Sequence, residues 1–202
     1  MNVFAAEPPQ GTSKFWDRVC GEADSPKMVQ KRRHENEVAI AMSGAHNEQV
    51  YLDYLDNQYR SSHPTPTELA DTIEAKSPPD AVYYAPLAMS RLYRHPDHVL
   101  ARQAGLILHT RGLKLGFYPD APYMNLAQRP REASLKRMKA LAEKTLGLKV
   151  SININELEPA QQQAKNEALH AYKTQYKMTN LESFGGLTRV MRRPYEVVVR
   201  AI

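Results

Sequence analysis

The segment His95-Pro96-Asp97-His98 has the residue types and spacing in this chain that best suit metal chemistry. Proline is favoured in the first turn of a helix, and residues three apart in a helix lie on one side, so the two imidazoles should face the same way. Imidazole is the commonest metal ligand in proteins, and a carboxylate such as Asp97 often orients it. Tyr93 precedes the segment by two residues and adds a hydroxyl donor beside it.

The histidine pair does not by itself define a metal site, because a zinc site needs at least three protein ligands. Two histidines at the start of a helix are also typical of a surface or capping feature, so both interpretations remain open at this point. The other five histidines are scattered and provide no partner at a ligand spacing: His34, His46, His63, His109 and His170.

A strand and a helix should position this segment. Ala81 to Leu87 is predicted as a strand, since Pro78-Pro79-Asp80 interrupts the chain in front of it. Pro96 to Thr110 is predicted as a helix, and Gly112 prevents it from continuing. The histidines therefore follow the carboxyl end of a strand, which is where open α/β sheets bind their ligands.

Strands and helices alternate along the rest of the chain. Thr65 to Glu68 forms a capping box with proline inside it, and Ser25-Pro26 is a second helix start signal. This order predicts an α/β, Rossmann-like fold with a mainly parallel sheet and helices on both faces. The residues from Pro8 to Asp24 read as a loop. The remaining predicted elements are strands at 2–6, 50–53, 115–118, 149–154 and 195–202, and helices at 25–43, 65–76, 134–146 and 159–176.

Length and composition indicate an ordinary globular protein. A chain of 202 residues predicts one domain over 1–202. No apolar run reaches the roughly 20 residues that span a bilayer, and the N-terminus lacks the features of a signal peptide. The single cysteine, Cys20, is consistent with a reducing cytoplasm. The net charge of +5 is spread among acidic residues, so we expect no nucleic-acid partner.

Three segments in series resemble the PIG-L/LmbE-like family of zinc-dependent N-acetylglucosaminyl deacetylases. They are Ala85-Pro86-Leu87, His95 to His98, and Phe117 to Tyr123. In that family a strand ending near Ala-Pro precedes a His-x-Asp-His motif, and a segment of the type Tyr-Tyr-Glu-Asp-x-Pro-Tyr follows one helix later. The order and spacing are the same here.

Further segments extend the resemblance over essentially the whole chain. Arg32 and Glu35 match the family's Arg-x-x-Glu helix, and Leu52 to Arg60, with Asp56, matches its Leu-Asp-x-x-Asp-x-x-Tyr-Arg segment. Lys165 to Gln175 resembles its late Lys-x-x-Ala helix, with Thr174 in place of serine.

The resemblance implies a role for each residue of the histidine segment. His98 would be a zinc ligand, and His95 would stabilise or protonate the tetrahedral intermediate. Asp97 would support them, and Tyr93 would polarise the substrate carbonyl. In this family the zinc, or another divalent metal, activates a water molecule for amide hydrolysis.

The resemblance also implies a substrate and its contacts. The substrate would be a small-molecule amino-sugar conjugate of the N-acetylglucosamine type, bound by Arg32, Asp56, Asp120 and Tyr123. Arg32 could equally be a solvated helix charge between Lys31 and Arg33. Pro119 stands where the family usually has an acidic residue. A homo-oligomer is compatible with the sequence.

One part of the family pattern is expected to be missing. The N-terminal Pro-His-Pro-Asp-Asp-Glu segment, which supplies two zinc ligands and the general base, has no counterpart here. The first strand of the family fold and a complete metal site would therefore be absent from this chain. Three interpretations remain open: a fragment of an active deacetylase, a catalytically inactive remnant, and a sugar- or anion-binding module of the same fold.

Overall fold

The structure is a computed structural model that describes residues 1–44, 48–89, 95–119, 131–176, 191 and 195–202. The described residues fall into two units, one built from Met1–His63 and Leu157–Pro194 and the other from Pro64–Glu156 and Tyr195–Ile202. The expected single domain over 1–202 stays a prediction.

The second unit contains a four-stranded sheet in the order β1-β2-β4-β3. Its strands are β1 (Val82–Pro86), β2 (Lys114–Tyr118), β3 (Val150–Glu156) and β4 (Tyr195–Ala201). Strands β1 and β2 are parallel, as expected for a βαβ unit, and β4 is antiparallel to both of its neighbours. The predicted α/β class is confirmed, and the sheet of the described residues is mixed. Hydrophobic periodicity locates a strand but does not encode its direction, which depends on the connection before it.

Three helices belong to the same unit: α3 (Pro66–Ala75), α4 (Pro96–Thr110) and α5 (Arg131–Leu146). Both α4 and α5 pack on the sheet face that carries Leu115 and Phe117, because Gly105 of α4 approaches Leu115, and Met138 of α5 belongs to one apolar cluster with both residues. Helix α3 packs against α4. A β-carbon at Gly105 would crowd Ala85 and Leu115, so glycine allows the close approach of α4 to the sheet.

Local sequence signals explain where these helices begin. Thr65 caps α3 through a complete capping box with Glu68, as predicted. Helix α4 begins at Pro96 and ends at Thr110, also as predicted, with His95 in the N-cap position. The first described turn of α5 begins at Arg131, three residues before the predicted start.

The first unit contains α1 (Phe15–Val19), α2 (Ser25–Met42) and α6 (Pro159–Ala171). Asp24 caps α2 by accepting a hydrogen bond from the backbone N–H of Lys27, one residue earlier than the predicted cap at Ser25. Helices α2 and α6 pack against each other. Helix α6 is interrupted at Tyr172, and one further helical turn follows at 173–176.

Two predictions for the first unit need correction. The segment predicted as a loop contains the short helix α1. The two predicted strands at 2–6 and 50–53 do run side by side, but they are joined by isolated bridges, Asn2 to Tyr51 and Phe4 to Asp53, rather than by a continuous ladder. No helix in the described part of the chain combines the length and apolar character that a membrane crossing requires.

Candidate functional site

The histidine segment lies at the start of α4, after the carboxyl end of β1. The ring centroids of His95 and His98 are 5.2 Å apart, so the predicted placement of both imidazoles on one side of the first turn is confirmed. Asp97 is buried, with 3% of its surface exposed. Its Oδ2 lies 3.9 Å from Nδ1 of His95. A carboxylate in the first turn of a helix is stabilised by the helix dipole.

The residues just after β1 are held by a residue that the sequence did not single out. Ala88 adopts a φ of +47°, a left-handed conformation that is unfavourable for a residue with a β-carbon. Arg102 of α4 donates hydrogen bonds from Nη1 to the carbonyl oxygens of Leu87 and Ala88, at 3.1 and 3.0 Å. Because Arg102 is on the same helix as the histidines, these bonds fix the strand end relative to the first turn of α4.

The donor atoms at this helix start fit zinc in type. Imidazole nitrogen and carboxylate oxygen are both zinc ligands, and two ligands of a tetrahedral zinc lie about 3.4 Å apart. Nδ1 of His95 and Oδ2 of Asp97 lie 3.9 Å apart, farther than two ligands of one tetrahedral zinc. Nδ1 of His95 is also buried with no hydrogen-bond partner in the described residues. A buried polar atom of this kind calls for a ligand, a water molecule or a metal.

The first unit contains a separate cavity of about 260 Å³. The cavity is lined by Arg32 and Asp56. These are the two substrate contacts implied by the resemblance that lie within the described residues. Arg32 comes from α2, and Asp56 lies in the turn after residues 50–53, where its Oδ1 accepts a hydrogen bond from the backbone N–H of Gln58 at 3.0 Å. The arrangement places a fixed cation and a fixed carboxylate on the walls of one cavity.

Aromatic hydroxyl groups complete the polar lining of this cavity. Tyr51, Tyr59 and Tyr172 all line it. Burial raises the pKa of all three hydroxyl groups above the ordinary value, and the hydrogen bond to Asp17 raises that of Tyr59 further. The three side chains are therefore neutral at physiological pH and present both a ring face and a polar tip, a combination that suits a saccharide.

A fully buried carboxylate stands behind Arg32. Asp17 of α1 has none of its surface exposed, and its Oδ1 lies 3.3 Å from Nη2 of Arg32. The hydroxyl of Tyr59 donates to Oδ2 of Asp17 at 2.8 Å, and Nε2 of Gln58 donates to Oδ1 at 3.3 Å. Three donors from two distant segments therefore satisfy one buried charge, as a buried carboxylate requires.

Sequence reasoning missed Asp17, Tyr59, Tyr172 and Arg102 as parts of these sites. Asp17 was assigned to a loop, and the roles of its partners depend on contacts 15 and 42 positions away. One signal was present for Tyr59, because it belongs to the Leu52 to Arg60 segment of the resemblance. The predicted site residues Tyr93, Asp120 and Tyr123 lie outside the described residues.

Comparison with known proteins identifies similar folds. No family model matches the chain, and no curated protein matches it. The chain resembles the crystal structure of the A40926 pseudoaglycone deacetylase Dbv21, with a TM-score of 0.70 and 22% identity, over 99% of this chain and 83% of that one. It also resembles the zinc-inhibited form of the teicoplanin deacetylase Orf2, with a TM-score of 0.70 and 19% identity, over 99% of this chain and 85% of that one.

A third similar structure is that of a deacetylase–teicoplanin complex from teicoplanin biosynthesis. Its TM-score is 0.68 and its identity 19%, over 99% of this chain and 84% of that one. These likenesses show that the chain has the α/β fold of the deacetylases named here.

Proposed function

We propose that this chain carries the fold and part of the active site of a PIG-L/LmbE-like, zinc-dependent hydrolase that removes the acetyl group from an N-acetylglucosamine-type glycoconjugate, with a metal site that is incomplete in this chain. One observation carries the proposal. Arg32 and Asp56, which sequence resemblance alone implied as sugar contacts, line the same cavity. The names of the structurally similar proteins support the reaction class, since all three are deacetylases of glycopeptide antibiotics or their precursors.

The cavity of the first unit would bind the sugar. The guanidinium of Arg32 is a donor and the carboxylate of Asp56 an acceptor, so together they suit neighbouring hydroxyl groups, each of which both donates and accepts. The rings of Tyr51, Tyr59 and Tyr172 would pack against the apolar face of a pyranose ring. These residues would set affinity and orientation without taking part in the chemistry.

The start of α4 would hold the metal. His98 is the proposed zinc ligand, with His95 and Asp97 beside it. When bound, zinc supplies a nucleophilic water at neutral pH and a positive charge next to the amide carbonyl. His95 would donate a proton or hydrogen bond to the developing oxyanion, while Asp97 would hold the imidazole in the orientation that this transfer needs. A cytoplasmic location, the substrate contacts of Asp120 and Tyr123, and the role of Tyr93 belong to the same proposal.

A second candidate is a saccharide-binding module that uses the cavity without hydrolysis. The polar lining of the cavity favours it, because Arg32 and Asp56 are anchored within the first unit and need no metal to bind a sugar. The two candidates differ in whether the chain binds zinc and releases acetate.

The test uses the whole 202-residue chain. Zinc content is measured by mass spectrometry after equilibration with zinc and dialysis, and acetate release is measured with an aryl N-acetylglucosaminide. Because two ligands of the family's metal site have no counterpart here, we expect only partial zinc retention in the parent and in His34→Ala, which changes an exposed histidine on α2. Loss of zinc is expected in His98→Ala. Acetate release should follow zinc content. Saccharide binding without zinc retention or acetate release would overturn the hydrolase and support the binding module.

A further inference from the structure

Arg32 presents a polar atom that nothing in the described residues satisfies. Its Nε is buried and has no hydrogen-bond partner there, although the side chain as a whole is 23% exposed and lines the cavity. A buried N–H without an acceptor costs free energy, so the other contacts of the guanidinium must hold it in this position. The geometry of the guanidinium therefore bears directly on what the cavity binds.

Within the described part of the chain, the guanidinium of Arg32 makes its ionic contact with Asp17. The two residues belong to different helices of the first unit, α1 and α2, and the carboxylate is fully buried. Lys31 and Arg33, on either side of Arg32, pair instead with Glu22 and Glu7, whose side chains are 17% and 34% exposed. Of the three neighbouring cations, Arg32 is thus the one held by a carboxylate that water does not reach.

The carboxylate of Asp17 is also held by the two residues that follow Asn57. Tyr59 and Gln58 donate to its two oxygens, and both follow Asp56 in the same turn. Asp17 therefore links the segment that carries the acceptor Asp56 to the helix that carries the donor Arg32. The buried carboxylate of Asp17 thus contacts both the segment of Asp56 and the helix of Arg32.

We propose that Asp17 is a positioning residue that holds Arg32, through the contact at Nη2, in the orientation in which its guanidinium donates to a bound saccharide. The proposal rests on the proposed sugar-binding role of the cavity. Asp17 does not touch the ligand and acts through Arg32. Loss of Asp17 should therefore weaken saccharide binding as much as loss of Arg32 does. Loss of both residues should weaken it no further than loss of either one.

The first measurement follows the Arg32 Nε–H directly by side-chain nitrogen NMR, with Arg32→Lys to assign the signal. A buried and fixed Nε–H exchanges slowly with water and gives a sharp signal, and this signal should broaden or disappear in Asp17→Asn. The matched control is Glu22→Gln, an acid-to-amide change that breaks the ion pair of the adjacent Lys31. It should leave the Arg32 signal unchanged. An Arg32 signal that persists in Asp17→Asn would overturn the positioning role, whatever the cavity binds.

The second measurement is the affinity for N-acetylglucosamine, followed by NMR titration of the parent, Asp17→Asn, Arg32→Ala and the double variant. We expect about tenfold weaker binding in each single variant and no further loss in the double variant, since contacts that act through one group are not additive. Additive losses would mean that Asp17 acts independently of Arg32 and would contradict the proposal. If the parent does not bind the sugar, the proposed function fails, while the Arg32 signal still decides the role of Asp17.

Tyr59→Phe provides a milder variant should Asp17→Asn fail to fold. It keeps the ion pair of Asp17 with Arg32 and removes one of the hydrogen bonds that fix the carboxylate. In the parent background, Tyr59→Phe should lower the affinity for N-acetylglucosamine less than Asp17→Asn does. When Arg32 is already alanine, Tyr59→Phe should not lower it at all. An equal loss in both backgrounds would overturn the proposal.

Discussion

Glu35 and Thr174 are 139 positions apart, and the carboxylate of Glu35 accepts hydrogen bonds from both the backbone N–H and the hydroxyl of Thr174, at 2.8 and 2.7 Å. Glu35 lies on α2 one turn after Arg32 and is only 9% exposed. Thr174 lies in the helical turn at 173–176 that follows α6. The contact holds this turn, and with it Tyr172 of the cavity wall, against α2.

Thr174→Val should lower the free energy of unfolding by about 1.5 kcal/mol, because it removes a hydroxyl that donates to a charged and nearly buried carboxylate while keeping the side-chain shape. Urea denaturation monitored by circular dichroism measures the change. Thr110→Val is the matched control, since its hydroxyl is exposed and bonds only a carbonyl oxygen of its own helix. That control should stay within about 0.5 kcal/mol of the parent. Equal effects of the two substitutions would contradict a specific role for the Glu35 contact.

Tyr59 should make the protein sensitive to alkaline pH. Burial and the hydrogen bond to Asp17 raise the pKa of its hydroxyl well above the usual 10. A group whose pKa is raised on folding stabilises the native state fully below its unfolded pKa, and the contribution is lost as the pH rises above that value. Between pH 10 and the folded pKa, the loss is about 1.4 kcal/mol per pH unit.

Tyr59→Phe separates this contribution from the rest of the chain. The variant should be less stable at neutral pH by about 2 kcal/mol, since it leaves Asp17 with one donor fewer. The difference from the parent should shrink above pH 10, because phenylalanine has no proton to lose. Thermal unfolding between pH 7 and 11 measures both effects, with Tyr84→Phe, on a half-exposed ring of β1, as the matched control. A difference that stays constant across this range would contradict the assignment.

The sequence predicted the elements that local signals define. Pro96 and Gly112 bound α4, and Thr65 with Glu68 starts α3, because capping and the restrictions of proline act within a few residues. The placement of His95 and His98 on one side of α4 follows from the same local geometry. Arg32 and Asp56 were recognisable through the resemblance. A resemblance points to a residue but does not show the tertiary contacts that position it.

The contacts behind these residues were not predictable from local patterns. Asp17 lies in a Pro-rich region without helical periodicity, yet it forms a short helix and becomes fully buried. Its burial is tolerable only because Arg32, Gln58 and Tyr59 converge on it from later parts of the chain. The direction of β4 is a similar case, since its antiparallel pairing depends on the path of the preceding chain rather than on its own residues.

Gly105 shows how closely α4 must approach the sheet for the histidine segment to keep its position. A β-carbon at this residue would lie 3.2 Å from Cβ of Ala85 and 3.3 Å from Cδ1 of Leu115. In an exposed helix, Gly→Ala stabilises by about 1 kcal/mol. Here the gain is opposed by overpacking, which costs about 1 to 3 kcal/mol when the neighbours cannot move. Cβ of Ala85 is fixed to the backbone of β1 and cannot rotate away, so the overpacking should dominate.

Gly105→Ala should therefore lower the free energy of unfolding by about 1 kcal/mol, measured by urea denaturation. The same substitution in an Ala85→Gly background is the matched test, because it removes the nearest of the two contacts. In that background the helix propensity of alanine should prevail and the change should be neutral or stabilising. Stabilisation of the parent by Gly105→Ala would show that α4 can move away from β1, and the start of α4 would then not be fixed by the packing at Gly105.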